Sequence, residues 1–213
     1  MSRILLLGAT GLVGSELLRL LMMDARVEVI YAPTRHPLSP AVKVVNPCAV
    51  NLPMALSQLT EPVDIAFCCL GTTRKQAGSR QAFRAVDYSL VVECAGVARR
   101  LGASHLLAVS AMSADLSSPF FYSRVKGETE QALMQQDWPR LTLARPSMLL
   151  GLRPQRRWLE SLSAPLFKYL PASWRAIEGK TVAQALLNQA FSPPESENVS
   201  VLTSQQLLRL AQP

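Results

Sequence analysis

The sequence predicts one α/β domain built around a doubly wound, mostly parallel sheet. Apolar runs of strand length alternate with longer segments of helical periodicity, which is the pattern of βαβ units. The first run, Ile4–Leu7, is entirely aliphatic, as expected for a strand that is buried on both faces. No repeat or linker divides the 213 residues. We therefore expect a single domain over 1–213, in which 151–213 form a small C-terminal extension.

Each element follows from the spacing of apolar residues along the chain. The predicted strands are Ile4–Leu7, Val27–Tyr31, Val42–Val45, Val63–Leu70, His105–Ser110 and Leu141–Ala144. The predicted long helices cover 12–23, 79–101 and 119–136, because apolar side chains recur there at helical spacing. Ser118 and Pro119 favour the start of the third helix as N-cap and first helical residue. Beyond residue 144 the pattern loosens; it allows a helix over 158–170 and predicts a helix over 181–191, a strand over 199–202 and a short helix over 205–210.

The net charge of +7 is concentrated in one part of the chain. Residues 140–180 hold 8 basic and 2 acidic side chains, which gives a net charge of +6. A protein that coats nucleic acid would more often spread basic residues over a face and interleave aromatic ones, and aromatic residues make up only 6% here. We therefore expect no nucleic-acid partner. The basic stretch is interpreted either as a solvated loop or as a local site for an anionic ligand.

Composition also excludes several classes of protein. Hydrophobic residues at 49% and charged residues at 17% argue against disorder. No apolar run approaches the roughly 18 residues of a membrane helix, and no targeting signal is visible, so we expect no membrane association and a cytoplasmic location. The four cysteines show no metal-ligand spacing, and the adjacent Cys68 and Cys69 fit a buried strand. No metal site is predicted.

A glycine-rich turn follows the first strand directly and precedes the first helix. Gly8, Gly11 and Gly14 form a G-x-x-G-x-x-G pattern. The first glycine permits a sharp turn, the second lets backbone N–H groups approach a pyrophosphate, and the third lets the helix pack closely on the strand. The N-terminus of the helix then favours the bound anion. This pattern, placed after the first strand of a βαβ chain, predicts a Rossmann NAD(P)-binding fold.

The segment after the second strand predicts which nucleotide is bound. A protein that prefers NAD usually places Asp or Glu there, on the ribose 2′-hydroxyl. Residues 30–38 contain no acid and offer Arg35, with His36 beside it. Because a guanidinium suits a 2′-phosphate, we predict NADP(H) as the cofactor. The alternative interpretation of Arg35 is an ordinary exposed loop residue.

The candidate catalytic residues are Tyr122 and Lys126, which form a Y-x-x-x-K pattern in the helix after the fifth strand. Residues four apart lie on one face of a helix. A neighbouring ammonium stabilises the phenolate of a tyrosine and lowers its pKa, so Tyr122 could exchange a proton with a carbonyl oxygen. Ser110 ends the fifth strand and Ser113 follows it. Either hydroxyl could polarise the carbonyl; the strand-end position favours Ser110.

Together these residues resemble the short-chain dehydrogenase/reductase superfamily, and within it the compact atypical branch that includes the HIV Tat-interactive protein family and its bacterial relatives. The most specific segment is Cys68–Arg74, supported by the segment around Tyr122 and Lys126 and by Arg145–Leu150. The resemblance implies cofactor contacts at Thr10, Gly11, Leu12 and Val13 in the first turn, at Arg35 near the 2′-phosphate, at Leu70 and Gly71 on the adenosine side, at Tyr122 and Lys126 on the nicotinamide ribose, at Leu149 on the nicotinamide, and at Arg157.

Two hypotheses about function remain open at this point. The leading one is an NADPH-dependent oxidoreductase that reduces a small carbonyl compound, as a monomer or homodimer. The other is a regulatory or redox-sensing protein that binds NADP(H) and acts through protein partners without turnover; the presence of both Tyr122 and Lys126 favours the enzyme. Nucleotide-sugar epimerases and semialdehyde dehydrogenases are disfavoured, because both would need a larger catalytic portion. Arg153, Arg156 and Arg157 would meet cofactor phosphates or an anionic substrate.

Overall fold

The computed structural model describes residues 1–150, 176–193 and 196–212. Its strands are β1 (Ser2–Leu7), β2 (Val27–Tyr31), β3 (Val44–Val45), β4 (Ile65–Cys68), β5 (His105–Val109), β6 (Arg140–Arg145), β7 (Leu149–Leu150), β8 (Ile177–Glu178) and β9 (Val199–Thr203). Its helices are α1 (Leu12–Met23), α2 (Leu52–Leu56), α3 (Arg74–Ala77), α4 (Arg80–Arg84), a π-helical segment (Ala85–Leu90), α5 (Val91–Arg100), α6 (Phe121–Met134), α7 (Gly179–Ala190) and α8 (Ser204–Leu210).

Seven of these strands form one parallel sheet in the order β3-β2-β1-β4-β5-β6-β9. The predicted doubly wound α/β fold is confirmed. The chain builds β1, β2 and β3 in one direction and then returns to place β4 on the other side of β1. In open sheets of this kind, ligands bind outside the carboxyl ends of the strands where the order reverses. The crevice between β1 and β4 is therefore the expected binding position.

Two apolar layers hold the sheet between its helices. Side chains of β1 alternate between them, because successive residues of a strand point to opposite faces: Ile4 and Leu6 belong to one cluster and Leu5 and Leu7 to the other. The first cluster is completed by α1, α7 and α8, and the second by α2, α5 and α6. Both faces are covered, which explains why the strands are predominantly apolar.

The structure shifts several predicted boundaries. The third strand is limited to Val44–Val45, and the fourth to Ile65–Cys68. The long helix predicted over 79–101 is α4, the π-helical segment and α5 in succession. The predicted strand over 199–202 is β9, which pairs with β6 and extends the main sheet. The helix allowed over 158–170 lies outside the described residues.

Candidate functional site

The turn between β1 and α1 is built by glycines that other residues could not replace. Gly8 has a positive φ of 82°, and a Cβ atom there would lie 2.7 Å from the carbonyl oxygen of Cys69, in the segment after β4. A Cβ atom on Gly14 would overlap the carbonyl oxygen of Gly8. The Gly11 N–H donates to the Gly8 carbonyl at 2.9 Å and closes the turn. The glycine pattern therefore brings α1, β1 and the end of β4 together.

This turn fits the pyrophosphate of a dinucleotide. Gly11 is the N-cap of α1 and carries no side chain that could occupy the N–H groups of the first helical turn. Those groups and the helix dipole favour an anion at this end. Thr10 is exposed, Leu12 is half-buried and Val13 is buried. Gly179, at the start of α7, was missed by sequence reasoning; a Cβ atom there would lie 2.9 Å from Leu12 Cγ, so α7 packs directly on this turn.

The loop after β2 holds Arg35 at the same edge of the sheet. Arg35 is exposed. Asn46 orders the loop beneath it: its Nδ2 donates to the Ala32 carbonyl at 2.6 Å and to Thr34 Oγ1 at 2.8 Å, and its Oδ1 accepts from the Leu38 N–H at 2.8 Å. No local motif indicates this role of Asn46, because its contacts join segments that are separated along the chain.

The segment after β4 is tied to a buried carboxylate that sequence reasoning also missed. Leu70 is half-buried and Gly71 is exposed. The Thr72 N–H donates to Asp87 Oδ2 at 2.8 Å, and Asp87 is 0% exposed. A Cβ atom on Gly71 would lie 3.4 Å from Asp87 Oδ1 and 3.7 Å from Lys126 Nζ. The glycine therefore leaves the backbone close to both charged groups.

Lys126 is buried and paired with that carboxylate. Its Nζ lies 2.8 Å from Asp87 Oδ1, with side-chain exposures of 8% for Lys126 and 0% for Asp87. Lys126 Nζ is not aligned with Asp87 Oδ1 as a hydrogen bond requires, so the contact between them is an ion pair without a directed hydrogen bond. The structure thus brings Lys126 to the segment after β4, which the resemblance assigned to the cofactor.

Tyr122 lies one turn before Lys126 on α6 and is 39% exposed. Its ring packs on Phe83, with ring centroids 5.5 Å apart, which limits its orientation. Burial raises the pKa of Tyr122, the nearby Lys126 opposes this rise, and Asp87 adds to it. The Y-x-x-x-K spacing predicted that the ammonium would lower the pKa of the phenol, but desolvation outweighs that effect in this structure.

Ser110 points into the interior. Its Oγ is buried and has no hydrogen-bond partner among the described residues. It lies on a cavity of about 10 Å³ that Asp87, Lys126, Thr129 and Glu130 also line. Ser113 is exposed. Polarisation of a carbonyl by either serine stays a prediction.

The remaining predicted residues follow β6 in the sequence. Leu149, in β7, is half-buried and packs against the first apolar cluster. Arg157, with Arg153 and Arg156, lies outside the described residues, and the role of the basic 151–157 loop stays a prediction.

The cysteines in the described part of the chain are free, and three of them lie in the core region. Burial raises the pKa of Cys68 to about 11, and it also raises the pKa of Cys69 and of Cys94. A raised pKa keeps each thiol protonated and weakly nucleophilic. In residues 1–150, 176–193 and 196–212, no group of three His, Cys, Asp or Glu side chains is placed to hold a metal ion.

Two relatives indicate the family. Protein FMP52-1, mitochondrial, of Scheffersomyces stipitis is 31% identical over 194 residues, which cover 86% of this chain and 86% of that protein. Protein HTATIP2 of Rattus norvegicus is 38% identical over 150 residues, which cover 69% of this chain and 61% of that protein. The chain belongs to the family of the FMP52 and HTATIP2 proteins. The predicted place in the atypical branch of the short-chain dehydrogenases/reductases is confirmed.

A family model and two solved structures agree with a nucleotide-binding fold for this chain. Residues 3–99 match the family model described as the NAD binding domain of semialdehyde dehydrogenase. A short chain dehydrogenase family protein from Francisella tularensis superposes with a TM-score of 0.72 at 12% identity, over 97% of this chain and 98% of that chain. WbmG of Bordetella bronchiseptica, solved in complex with NAD, has a TM-score of 0.68 at 17% identity, over 95% of this chain and 72% of that chain. The chain therefore carries an NAD(P)-binding Rossmann domain of the oxidoreductase type.

The expected cytoplasmic location is wrong by comparison with the relatives. FMP52-1 of Scheffersomyces stipitis is named mitochondrial, as is FMP52 of Debaryomyces hansenii, which is 29% identical over 88% of this chain and 87% of that protein. The expectation rested only on the lack of a recognisable signal, which does not fix a location. Within the described residues, no helix has both the length and the apolar character needed to cross a membrane.

Proposed function

We propose that this protein is an NADPH-dependent oxidoreductase that reduces a small carbonyl compound with Tyr122 as proton donor and Lys126 as its partner. One observation carries the proposal: Lys126 is held by a buried ion pair against the segment after β4, one helical turn from the half-exposed Tyr122. A basic group at the nucleotide-binding edge beside an accessible phenol suits both binding of a ribose and transfer of a proton.

Reduction of the carbonyl group requires the transfer of a hydride and of a proton. The reduced nicotinamide nucleotide, when bound, supplies the hydride that adds to the carbonyl carbon. Tyr122 Oη donates its proton to the carbonyl oxygen, which gives an alcohol and leaves a phenolate that takes a proton back from solvent. The Gly8–Gly14 turn and the first turn of α1 would hold the pyrophosphate, and Arg35 would hold the 2′-phosphate.

The mechanism is tested by assaying NADPH oxidation over a panel of aldehydes, ketones and quinones. We expect Tyr122→Phe to lower kcat about 100-fold or more, because it removes the general acid, while the Kd for NADPH changes little. Tyr88→Phe is the matched control, since Tyr88 lies in the π-helical segment under the guanidinium of Arg84 and should retain the parent rate. Turnover that is indifferent to Tyr122→Phe would remove the proton-donor role.

The cofactor preference is tested separately. We expect Arg35→Gln to weaken NADPH binding about 10-fold or more, because a charge-assisted contact with the 2′-phosphate is lost, and to leave the Kd for NADH unchanged. Arg19→Gln is the control: Arg19 is exposed on α1 and bonds to Glu16. Equal Kd values of the parent protein for NADPH and NADH would contradict the preference.

A second candidate function is regulation through NADP(H) binding without turnover. The observation that favours it is the burial of Ser110 Oγ, because burial separates that hydroxyl from the solvent through which a substrate would approach. NADPH binding in calorimetry, combined with no oxidation over the whole carbonyl panel, would favour this function over the reductase.

A further inference from the structure

We propose that Asp87 is a positioning residue that neutralises Lys126 and thereby keeps Tyr122 in its phenol form, which sets the site to give a proton to a carbonyl rather than to remove one from an alcohol. The inference rests on the proposed reductase function and specifies the direction in which it works best.

The carboxylate of Asp87 is held by two partners. Asp87 is fully buried, and each of its oxygens has a different neighbour: Oδ1 lies 2.8 Å from Lys126 Nζ, and Oδ2 accepts from the Thr72 N–H at 2.8 Å. One side chain therefore joins α6 to the segment after β4. A buried carboxylate is costly to desolvate unless such partners compensate it, so its position is fixed by both of them.

The backbone that carries Asp87 also contacts α6. The residue lies in the π-helical segment Ala85–Leu90. Its carbonyl oxygen accepts from Thr129 Oγ1 at 2.8 Å, and the same hydroxyl lies 2.8 Å from the Val125 carbonyl. π-helical turns are rare and often occur at functional sites. Here the contact from Thr129, three residues after Lys126, ties the backbone of the widened turn to α6, which helps to hold the carboxylate beside the ammonium.

The charge balance around Tyr122 depends on the titratable groups that lie near it. Nearby Glu130 pairs with Arg145 and lines the same cavity as Asp87 and Lys126, while Glu128 pairs with Arg84. On the β4 side the adjacent group is Cys68, whose pKa burial raises to about 11, and Tyr88 of the π-helical segment lies under Arg84.

These neighbours leave the Asp87–Lys126 pair as the main charged influence on Tyr122 within the described residues. The carboxylate of Asp87 opposes the ammonium's stabilisation of a phenolate. Burial is the main cause that raises the pKa of Tyr122, Lys126 acts against the rise, and Asp87 adds to it. A phenol suits reduction, because the proton must leave Tyr122 Oη for the carbonyl oxygen as the hydride arrives from the reduced nicotinamide nucleotide. Oxidation of an alcohol would instead need the phenolate as base.

The test measures the ionisation of Tyr122 in the protein without nucleotide or substrate. Protein labelled with ¹³Cζ-tyrosine is titrated by NMR, and the Tyr122 resonance is assigned with Tyr122→Phe. We expect Asp87→Asn, which retains an acceptor for the Thr72 N–H, to lower the pKa of Tyr122 by about one unit or more, because an uncompensated ammonium stabilises the phenolate. Glu128→Gln is the control. It removes a charge from the same helix, but this charge pairs with Arg84 and not with Lys126, so the pKa of Tyr122 should be unchanged.

A second variant covers the case in which Asp87→Asn does not fold, since an unpaired buried charge is strongly destabilising. Asp87→Asn combined with Lys126→Met removes both charges, and we expect the pKa of Tyr122 to stay within about half a unit of the parent. A rise of more than one unit would mean that Lys126 is not neutralised and would overturn the proposal. No shift in a folded Asp87→Asn protein would overturn it as well.

Kinetics then separate this inference from the proposed function. NADPH oxidation by the parent should stay constant up to the pH at which Tyr122 ionises, and in Asp87→Asn the fall should begin about one pH unit lower. If the NMR shift occurs but no carbonyl compound is reduced, the proposed function fails while the charge balance stands. If reduction occurs without the NMR shift, the role of Asp87 fails alone.

Discussion

At the scale of single residues, Gly14 is the position where one added methyl group should have the largest effect. Its Cβ would overlap the Gly8 carbonyl. We expect Gly14→Ala to lower the free energy of unfolding by about 1–3 kcal/mol, as overpacking does, and to weaken NADPH binding about 10-fold or more by displacing the first turn of α1. Urea unfolding and calorimetric titration measure the two effects.

Gly96→Ala is the matched control for that substitution. Gly96 lies within α5, and the nearest atoms to an added Cβ are 3.8 Å and 3.9 Å away, in Arg100 and Gln136. Alanine is favoured over glycine within a helix, so stability should rise by up to about 1 kcal/mol while NADPH binding is unchanged. Equal losses in the two variants would show that the effect at Gly14 is not specific to the turn.

The sequence could predict those site residues whose meaning lies within a short segment. Gly8, Gly11 and Gly14 form one turn, and Tyr122 and Lys126 share one helical face, so spacing alone points to them. Asp87 and Asn46 are different. Their roles arise only when the segment after β4 meets α6, or when the loop after β2 closes on itself. Such contacts depend on tertiary packing that no local motif encodes.

At the scale of elements, one buried hydroxyl of α6 adds a hydrogen bond to the backbone of the π-helical segment, beside the Lys126–Asp87 ion pair. Thr129 Oγ1 lies 2.8 Å from the carbonyl oxygens of both Asp87 and Val125. We expect Thr129→Val to lower the free energy of unfolding by about 1–3 kcal/mol, because a buried hydrogen bond to the Asp87 carbonyl is lost. The effect is measured by urea unfolding of the protein without nucleotide.

Ser110→Ala provides the contrast, because its Oγ is equally enclosed but has no partner among the described residues. Removing an unsatisfied hydroxyl should leave stability unchanged or raise it by about 1 kcal/mol. A loss as large as that of Thr129→Val would instead show that Ser110 bonds to a water in the small cavity beside it, which has room for about one molecule.

Helix ends were predicted less well than helix existence. The pair Ser118 and Pro119 favoured a start at residue 119, but α6 begins at Phe121. Ser118 Oγ accepts from the Phe120 N–H at 3.2 Å, and the Ser118 carbonyl accepts from Arg124 at 3.0 Å. These side-chain bonds satisfy the turn before the helix, and the same residue types that cap helices also stabilise such turns. The brief strands β7 and β8 have too few residues to show any periodicity.

At the scale of the whole molecule, the sheet follows from the sequence because its strands are predominantly apolar and its helices are amphipathic. The alternation of strands and helices leaves few topologies, since parallel crossovers are right-handed. The position of β9 beside β6 was not evident in advance. It depends on pairing across a long separation along the chain, from Leu141↔Val199 to Arg145↔Thr203, and a short apolar run does not reveal its partner.

Three strands of this sheet are also joined by a buried polar chain that begins at His105. His105 Nε2 lies 2.9 Å from Thr142 Oγ1, which lies 3.2 Å from Ser200 Oγ. Burial, together with the nearby positive charge of Arg140, lowers the pKa of His105 to about 3. The folded protein therefore keeps this imidazole neutral, whereas the unfolded chain protonates it near the ordinary pKa of about 6.5.

This difference makes the stability of the whole sheet depend on pH. Between about pH 6.5 and pH 3 the unfolded chain binds one more proton at His105 than the folded chain does. The contribution of His105 to the free energy of unfolding is therefore fully present above pH 6.5 and is lost as the pH falls. We expect the parent to lose about 2 kcal/mol more than His105→Gln between pH 7 and pH 5, measured by urea unfolding at each pH. His36→Gln, at an exposed position after β2, is the control and should decline in parallel with the parent. Parallel curves for the parent and His105→Gln would mean that His105 is protonated within the folded sheet, in which case Thr142 and Ser200 must accommodate a charge.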